Sequence, residues 1–86
     1  MKGILRILAA KAVGPYTLRL TFNNGATKTV SVVSLLEGPI FEPLRDAAYF
    51  ARVNLDSVSG TVVWPNGADF APEALYALDT VEPTAV

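Results

Sequence analysis

Tyr16-Thr17-Leu18-Arg19-Leu20-Thr21-Phe22-Asn23-Asn24-Gly25-Ala26-Thr27-Lys28-Thr29-Val30-Ser31-Val32 decides the fold. Tyr16, Leu18, Leu20 and Phe22 alternate with Thr17, Arg19 and Thr21, the period-two pattern of a half-buried strand. Asn23-Asn24-Gly25 then reverses the chain. A two-residue turn at Asn24-Gly25 would set Leu20 against Thr29 and Leu18 against Ser31, mixing apolar and polar side chains on each face. A three-residue loop with Gly25 in the left-handed conformation pairs Phe22 with Ala26, Leu18 with Val30 and Tyr16 with Val32. The second register is the consistent one. It gathers Thr17, Arg19, Thr21, Thr27, Thr29 and Ser31 on a polar face and sets Lys28 opposite Leu20, where it must snorkel out of the apolar side.

Working outward, the segment ending at Ala12 reads as a first strand. Its Lys2 and Ala10-Lys11-Ala12 imitate a signal peptide loosely, but Arg6 interrupts the apolar run. Downstream, Gly38-Pro39 closes the sheet segment. Pro43 to Arg45 suits a single helical turn, and Asp46 has the composition of an N-cap for a short helix from Ala47 to Ala51 that sends Tyr49 or Phe50 into the core. Arg52 to Leu55 and Thr61 to Trp64 form a second hairpin around Asp56-Ser57-Val58-Ser59-Gly60. Pro65 stops that strand and Asn66-Gly67 turns the chain toward a last helix, Pro72 to Leu78. Ala71 is a poor cap for it, which leaves Asp69 to reach the first turn. The expected fold is therefore a small single α+β domain over residues 1–78, with an antiparallel sheet of about five strands in hairpins, two or three short helices, and a frayed tail over 79–86.

The chain has 86 residues, 51% of them hydrophobic and 17% charged, a size that suits one domain with one modest core. It contains no cysteine and no histidine, so disulfides, thiolate nucleophiles and Cys/His zinc sites are excluded. No apolar run approaches the length of a membrane span, and a soluble, cytoplasmic protein is expected. Net charge is −1, unevenly placed. Residues 1–36 carry Lys2, Arg6, Lys11, Arg19 and Lys28 without an acid, whereas residues 37–86 carry Arg45 and Arg52 against all eight acids. The two halves can neutralise each other by packing together, or the basic residues can share a surface for nucleic acid or an acidic protein.

Candidate chemistry is sparse. Glu42 and Asp46 stand four apart, but no nucleophile, metal ligand or oxyanion donor accompanies them. Glu37, Asp56 and Asp69 lack the alternating acid spacing of a cation loop. Ser57 and Ser59 have no neighbouring base and read as turn residues. Trp64 and Tyr76 offer an aromatic contact for a ligand, or for a base stacked beside Arg19, yet a lone tryptophan at a strand end reads first as the largest plug of the core. No catalytic residue, cofactor or metal is expected. The candidate binding residues are Arg19, Thr17, Thr21, Thr27 and Thr29, on the polar hairpin face, and an edge strand of that hairpin offers a second route to a partner or to self-association.

Leu35-Leu36-Glu37-Gly38-Pro39-Ile40-Phe41-Glu42-Pro43-Leu44-Arg45-Asp46, then Gly60-Thr61-Val62-Val63-Trp64-Pro65-Asn66-Gly67-Ala68-Asp69 and Pro72-Glu73 with Leu75-Tyr76, resemble the bacterial domain of unknown function family 2442 over residues 4 to 78. The resemblance implies a small antiparallel α+β domain with no catalytic residues to carry over. It also implies an antitoxin-like, non-enzymatic protein-interaction module whose protein partner is encoded by a neighbouring gene. Some relatives append a helix-turn-helix domain, which is not expected here because the sequence ends soon after Tyr76. The alternatives are a nucleic-acid-binding accessory domain using Lys2, Arg6, Lys11, Arg19 and Lys28, against which the acidic second half and a pI near 5.1 count, and a small ligand-binding or enzymatic domain with a carboxylate site.

Overall fold

In a computed structural model, which describes residues 4–81, the Tyr16–Val32 stretch takes the register that its alternation demands. Strand β2 (Thr17–Phe22) pairs antiparallel with β3 (Thr27–Ser31), Leu18 against Val30 and Leu20 against Lys28. The Phe22 N–H donates to Ala26 O at 2.8 Å and the Val32 N–H to Tyr16 O at 2.8 Å, with Gly25 at φ 90°. Only a residue without a Cβ takes that conformation at little cost. Strand β1 (Ile7–Gly14) lies on the other side of β2, so the sheet order is β1-β2-β3.

The turn from β1 to β2 is tighter than its residues favour. Tyr16 has φ 58°, an uncommon conformation for a bulky residue. Three contacts hold it there: its carbonyl accepts from Val32, its hydroxyl donates to Arg45 O at 3.2 Å, and its ring meets Phe50 edge-on at 6.4 Å.

After β3 the chain runs through two 3-10 segments, Val33–Leu35 and Pro39–Arg45. The second is longer than the single turn expected from Pro43. Both prolines suit the tight i to i+3 geometry, in which Phe41 N–H bonds Gly38 O and Asp46 N–H bonds Pro43 O, each at 3.1 Å. Helix α1 (Ala47–Phe50) follows with the expected cap, Asp46 Oδ2 accepting from Tyr49 N–H at 3.1 Å. Of the two aromatic candidates it is Phe50 that is buried, while Tyr49 is half-buried beneath Arg52.

Strands β4 (Asn54–Asp56) and β5 (Thr61–Val63) form a separate two-stranded sheet. The single sheet of about five strands is thus corrected to three plus two. The reason lies at the start of β1. Its pairing with β2 is irregular between Ile7 and Ala9, which bends the strand. One backbone bond, Ile7 N–H to Gly60 O at 2.8 Å, joins the two hairpins, and Arg6 fills the space beside it by donating to Ser57 O and Val58 O. Gly60 has φ 73°, which favours glycine, and a Cβ there would lie 2.9 Å from the Arg6 guanidinium carbon, so Arg6 would have to shift.

Trp64 follows β5 and is the plug of the core. Its ring lies 5.5 Å from Phe50 and 5.7 Å from Phe70, and its Nε1 donates to Phe50 O at 2.9 Å. Asn66 ties the following turn to the 3-10 segment by donating to Ile40 O at 2.8 Å. Helix α2 (Pro72–Tyr76) is shorter than Pro72 to Leu78, and no side chain caps Ala71. Asp69 does not reach it, because its backbone is held against Val63 in a bridge. Thr80 then bridges Val30 and the Val81 N–H donates to Thr29 O at 2.7 Å, so residues 80–81, placed by composition in the tail, lie along β3. Residues 82–86 of the expected tail lie outside the described ones. The result is a small α+β domain whose helices and second hairpin pack on one face of the three-stranded sheet.

Candidate interaction face

The opposite face of that sheet is where the sequence candidates meet. Because Leu18, Leu20, Phe22 and Val30 point into the core, their neighbours Thr17, Arg19, Thr21, Thr27 and Thr29 point away from it. The cross-strand pairs are Thr17 with Ser31, Arg19 with Thr29, and Thr21 with Thr27. Thr17 turns its hydroxyl to Pro15 O at 2.8 Å, and the Ser31 oxygen accepts from Val33 N–H at 3.4 Å. Arg19 and Thr27 are exposed.

Strand β1 adds to this face what the hairpin alone did not show. Ala9 stands beside Thr21 and Lys11 beside Arg19. Two basic residues therefore occupy directly opposed positions on neighbouring strands, both exposed, in a row that continues to Thr29. Like charges so placed repel and cost stability. No acid is among the eight residues Ala9, Lys11, Thr17, Arg19, Thr21, Thr27, Thr29 and Ser31, so the face carries +2. The pairing of Lys11 with Arg19 escaped sequence reasoning because Ile7-Leu8-Ala9-Ala10-Lys11-Ala12 has little polar contrast. The irregularities at Ile7/Ala9 and Ala12/Gly14 also break any simple count of its register.

The remaining basic residues are engaged elsewhere. Arg6 staples the second hairpin, as described above. Lys28 snorkels from the apolar side, as its register requires, and donates from Nζ to Tyr76 O and to Leu78 O, with its ammonium 5.0 Å from the Tyr76 ring centre. A cation at these carbonyls complements the C-terminal end of α2. Arg45 donates to Leu36 O at 2.9 Å, and Arg52 lies over Tyr49 at 5.6 Å. Lys2 lies outside the described residues.

Trp64 and Tyr76 do not meet: Tyr76 packs edge-on against Phe22 at 5.0 Å, and its hydroxyl accepts from Asn24 Nδ2 at 3.2 Å. Both lie on the core side of the sheet from Arg19. Asp46 is the α1 cap, and Asp56 serves the β4–β5 loop by accepting from Val58 N–H at 2.9 Å. That bond, with smaller contributions from Ser59 and from Arg6, holds the Asp56 carboxyl below the usual aspartate value. Among the described residues no three acids gather at metal-binding distance.

Neither sheet edge is an open template. The outer edge of β3 carries Thr80 and Val81, and the outer edge of β1 is interrupted by its two irregularities and bears Lys11.

Residues 7–80 match the family model described as protein of unknown function, DUF2442. The chain belongs to this family. The DUF2442 chain is also similar to a solved structure from Nitrosomonas europaea ATCC 19718 described as a "putative DNA binding protein", at 32% sequence identity and a TM-score of 0.76. The match covers 87% of this chain and 48% of that one, so the DUF2442 chain spans about half the length of that relative. No curated protein matches it. Among the described residues no helix is long and apolar enough to cross a membrane.

Proposed function

We propose that this DUF2442 chain is a cytoplasmic, non-enzymatic protein-interaction domain, antitoxin-like, that covers a surface of a partner protein with the outer face of its three-stranded sheet. The observation that carries this reading is the Lys11–Arg19 pair: two exposed cations side by side on a face whose three strands bear no acid. A fold that tolerates such repulsion on an otherwise simple polar surface is arranged for a negatively charged neighbour. Coexpression with the protein encoded beside it, followed by gel filtration, tests the reading. The two chains are expected to co-elute, and the double variant Lys11→Glu, Arg19→Glu to elute alone. Separate elution of the unmodified chains would sink the proposal.

A second reading, nucleic-acid binding, draws on the same two cations and on the description given to the Nitrosomonas relative. That description belongs to a protein about twice as long. Of the five basic residues in the first 36, Arg6 and Lys28 donate to backbone carbonyls, which leaves two on this face. Two phosphate contacts give a salt slope of only about −1.8, against 6–10 contacts in a dedicated binder. The affinity of this domain for a DNA duplex would then fall about tenfold between roughly 50 and 200 mM salt. A titration with no binding at the lower salt removes this reading.

A further inference from the structure

The size and spacing of the face narrow what can lie on it. Resting on the protein-interaction reading above, we infer that the face seats one acidic helix of the partner, laid across the strands with two carboxylates one helical turn apart on Arg19 and Lys11. Strands are about 4.8 Å apart and rise about 3.3 Å per residue, so three strands over the five paired positions from Thr17 to Thr21 make a platform of about 14 by 17 Å. That is roughly 240 Å², well below the roughly 800 Å² that each partner of a standard interface contributes. A helix is about 10 to 12 Å across and fits; a broad globular surface does not find enough sheet to rest on.

Charge sets the orientation. Lys11, Arg19 and Thr29 form a row perpendicular to the strands, with their Cα atoms paired from β1 to β2 to β3. Carboxylates at positions i and i+4 of a helix stand about 5 to 6 Å apart at their Cβ atoms, which matches the strand spacing. Arg19, at the centre of the row, accepts one carboxylate in the two-pronged geometry of its guanidinium, and Lys11 takes the other as a point charge. Beyond Thr29 the row meets Val81, whose N–H donates to Thr29 O, and the Val30–Thr80 bridge sets Asp79 against Ser31, so acid at this face is confined to the edge farthest from Lys11 and the helix otherwise meets hydroxyl and methyl groups.

The test uses two alanine-based helical peptides of equal composition and about 20 residues. One carries glutamates at i, i+4 and i+8; the other distributes them around the helix. Each is titrated into the labelled full chain at low ionic strength, about 20 mM, and followed by amide chemical shifts. The striped peptide is expected to shift the amides of Lys11, Arg19, Thr29 and their neighbours at concentrations about tenfold lower than the dispersed one, and Arg19→Glu to abolish the difference. Equal affinities, or shifts confined to other surfaces, overturn the inference. So does a short DNA duplex that shifts the same amides at lower concentration than either peptide. If the striped and dispersed peptides bind alike while the unmodified chain co-elutes with the neighbouring gene's product and the double variant Lys11→Glu, Arg19→Glu does not, the inference falls while the protein-interaction reading stands. If the striped peptide binds as expected but that product never co-elutes, the inference stands and the wider reading falls.

Discussion

Arg6 and Lys28 show how position decides what a basic residue does. Each sits where backbone carbonyls gather, Arg6 under the β4–β5 loop and Lys28 at the end of α2, and each satisfies acceptors that a folded chain would otherwise leave to water. Lys28→Met keeps the apolar stem and removes the ammonium. It should destabilise the domain by about 1 kcal/mol, since a half-exposed charged hydrogen bond at a helix end contributes no more than that. A thermal melt should show a fall of roughly 4 to 8 °C. Asp56 adds a pH dependence of definite sign. Its folded carboxyl is held below the unfolded value, so its contribution is present in full above the normal aspartate pKa and is lost as pH falls through the lowered folded value. The protection of the Val58 amide, taken relative to the intrinsic exchange rate at each pH, should therefore fall on acidification below about pH 4, and Asp56→Ala should show the low protection already at neutral pH. Trp64 was legible as the core plug from its position at a strand end. Its bond to Phe50 O was not, because that carbonyl arrives from a helix whose placement no local pattern specifies. Trp64→Ala should cost about 3 to 5 kcal/mol, measured by urea denaturation, enough to threaten the fold.

At the scale of elements, legibility followed contrast. The Tyr16–Val32 hairpin has one register that keeps Tyr16, Leu18, Phe22, Val30 and Val32 on a common side, so a slip by one residue is penalised at every position and the register could be argued. Strand β1 is alanine-rich and β4 has three residues, so neither carries a pattern that names its neighbour. Sheet membership there depends on a bend in β1 and on the Arg6–Gly60 fit, both long-range. The helices repeat the lesson. Asp46 was readable as a cap because the capping bond is local, and Asp46→Ala should cost about 1 kcal/mol in a chemical melt. Ala71 was readable as a missing cap for the same reason. Ala71→Ser should add about 0.5 to 1 kcal/mol to stability, seen as a higher urea midpoint with an unchanged slope. Asp69 could not be placed from sequence, since its backbone is taken by a bridge to Val63.

For the whole molecule the charge asymmetry visible in the sequence resolves into something narrower. Of the five cations in the first 36 residues, two are structural and two share the outer face, which carries +2 while the remainder of a −1 chain carries −3. The domain is thus electrically polar, with its positive end on a surface that adds nothing to the core. Such an arrangement steers an acidic partner toward one face and away from the others. It also predicts a conflict between stability and binding. Lys11 and Arg19 repel across β1 and β2, so Arg19→Glu replaces a like pair by an opposite pair and should raise stability by about 0.2 to 1 kcal/mol in urea denaturation, while abolishing co-elution with the partner. A residue kept for the fold behaves in the opposite way, losing stability when its charge is reversed. If Arg19→Glu lowers the urea midpoint, or leaves the complex intact, the pair belongs to the scaffold and the binding face must lie elsewhere.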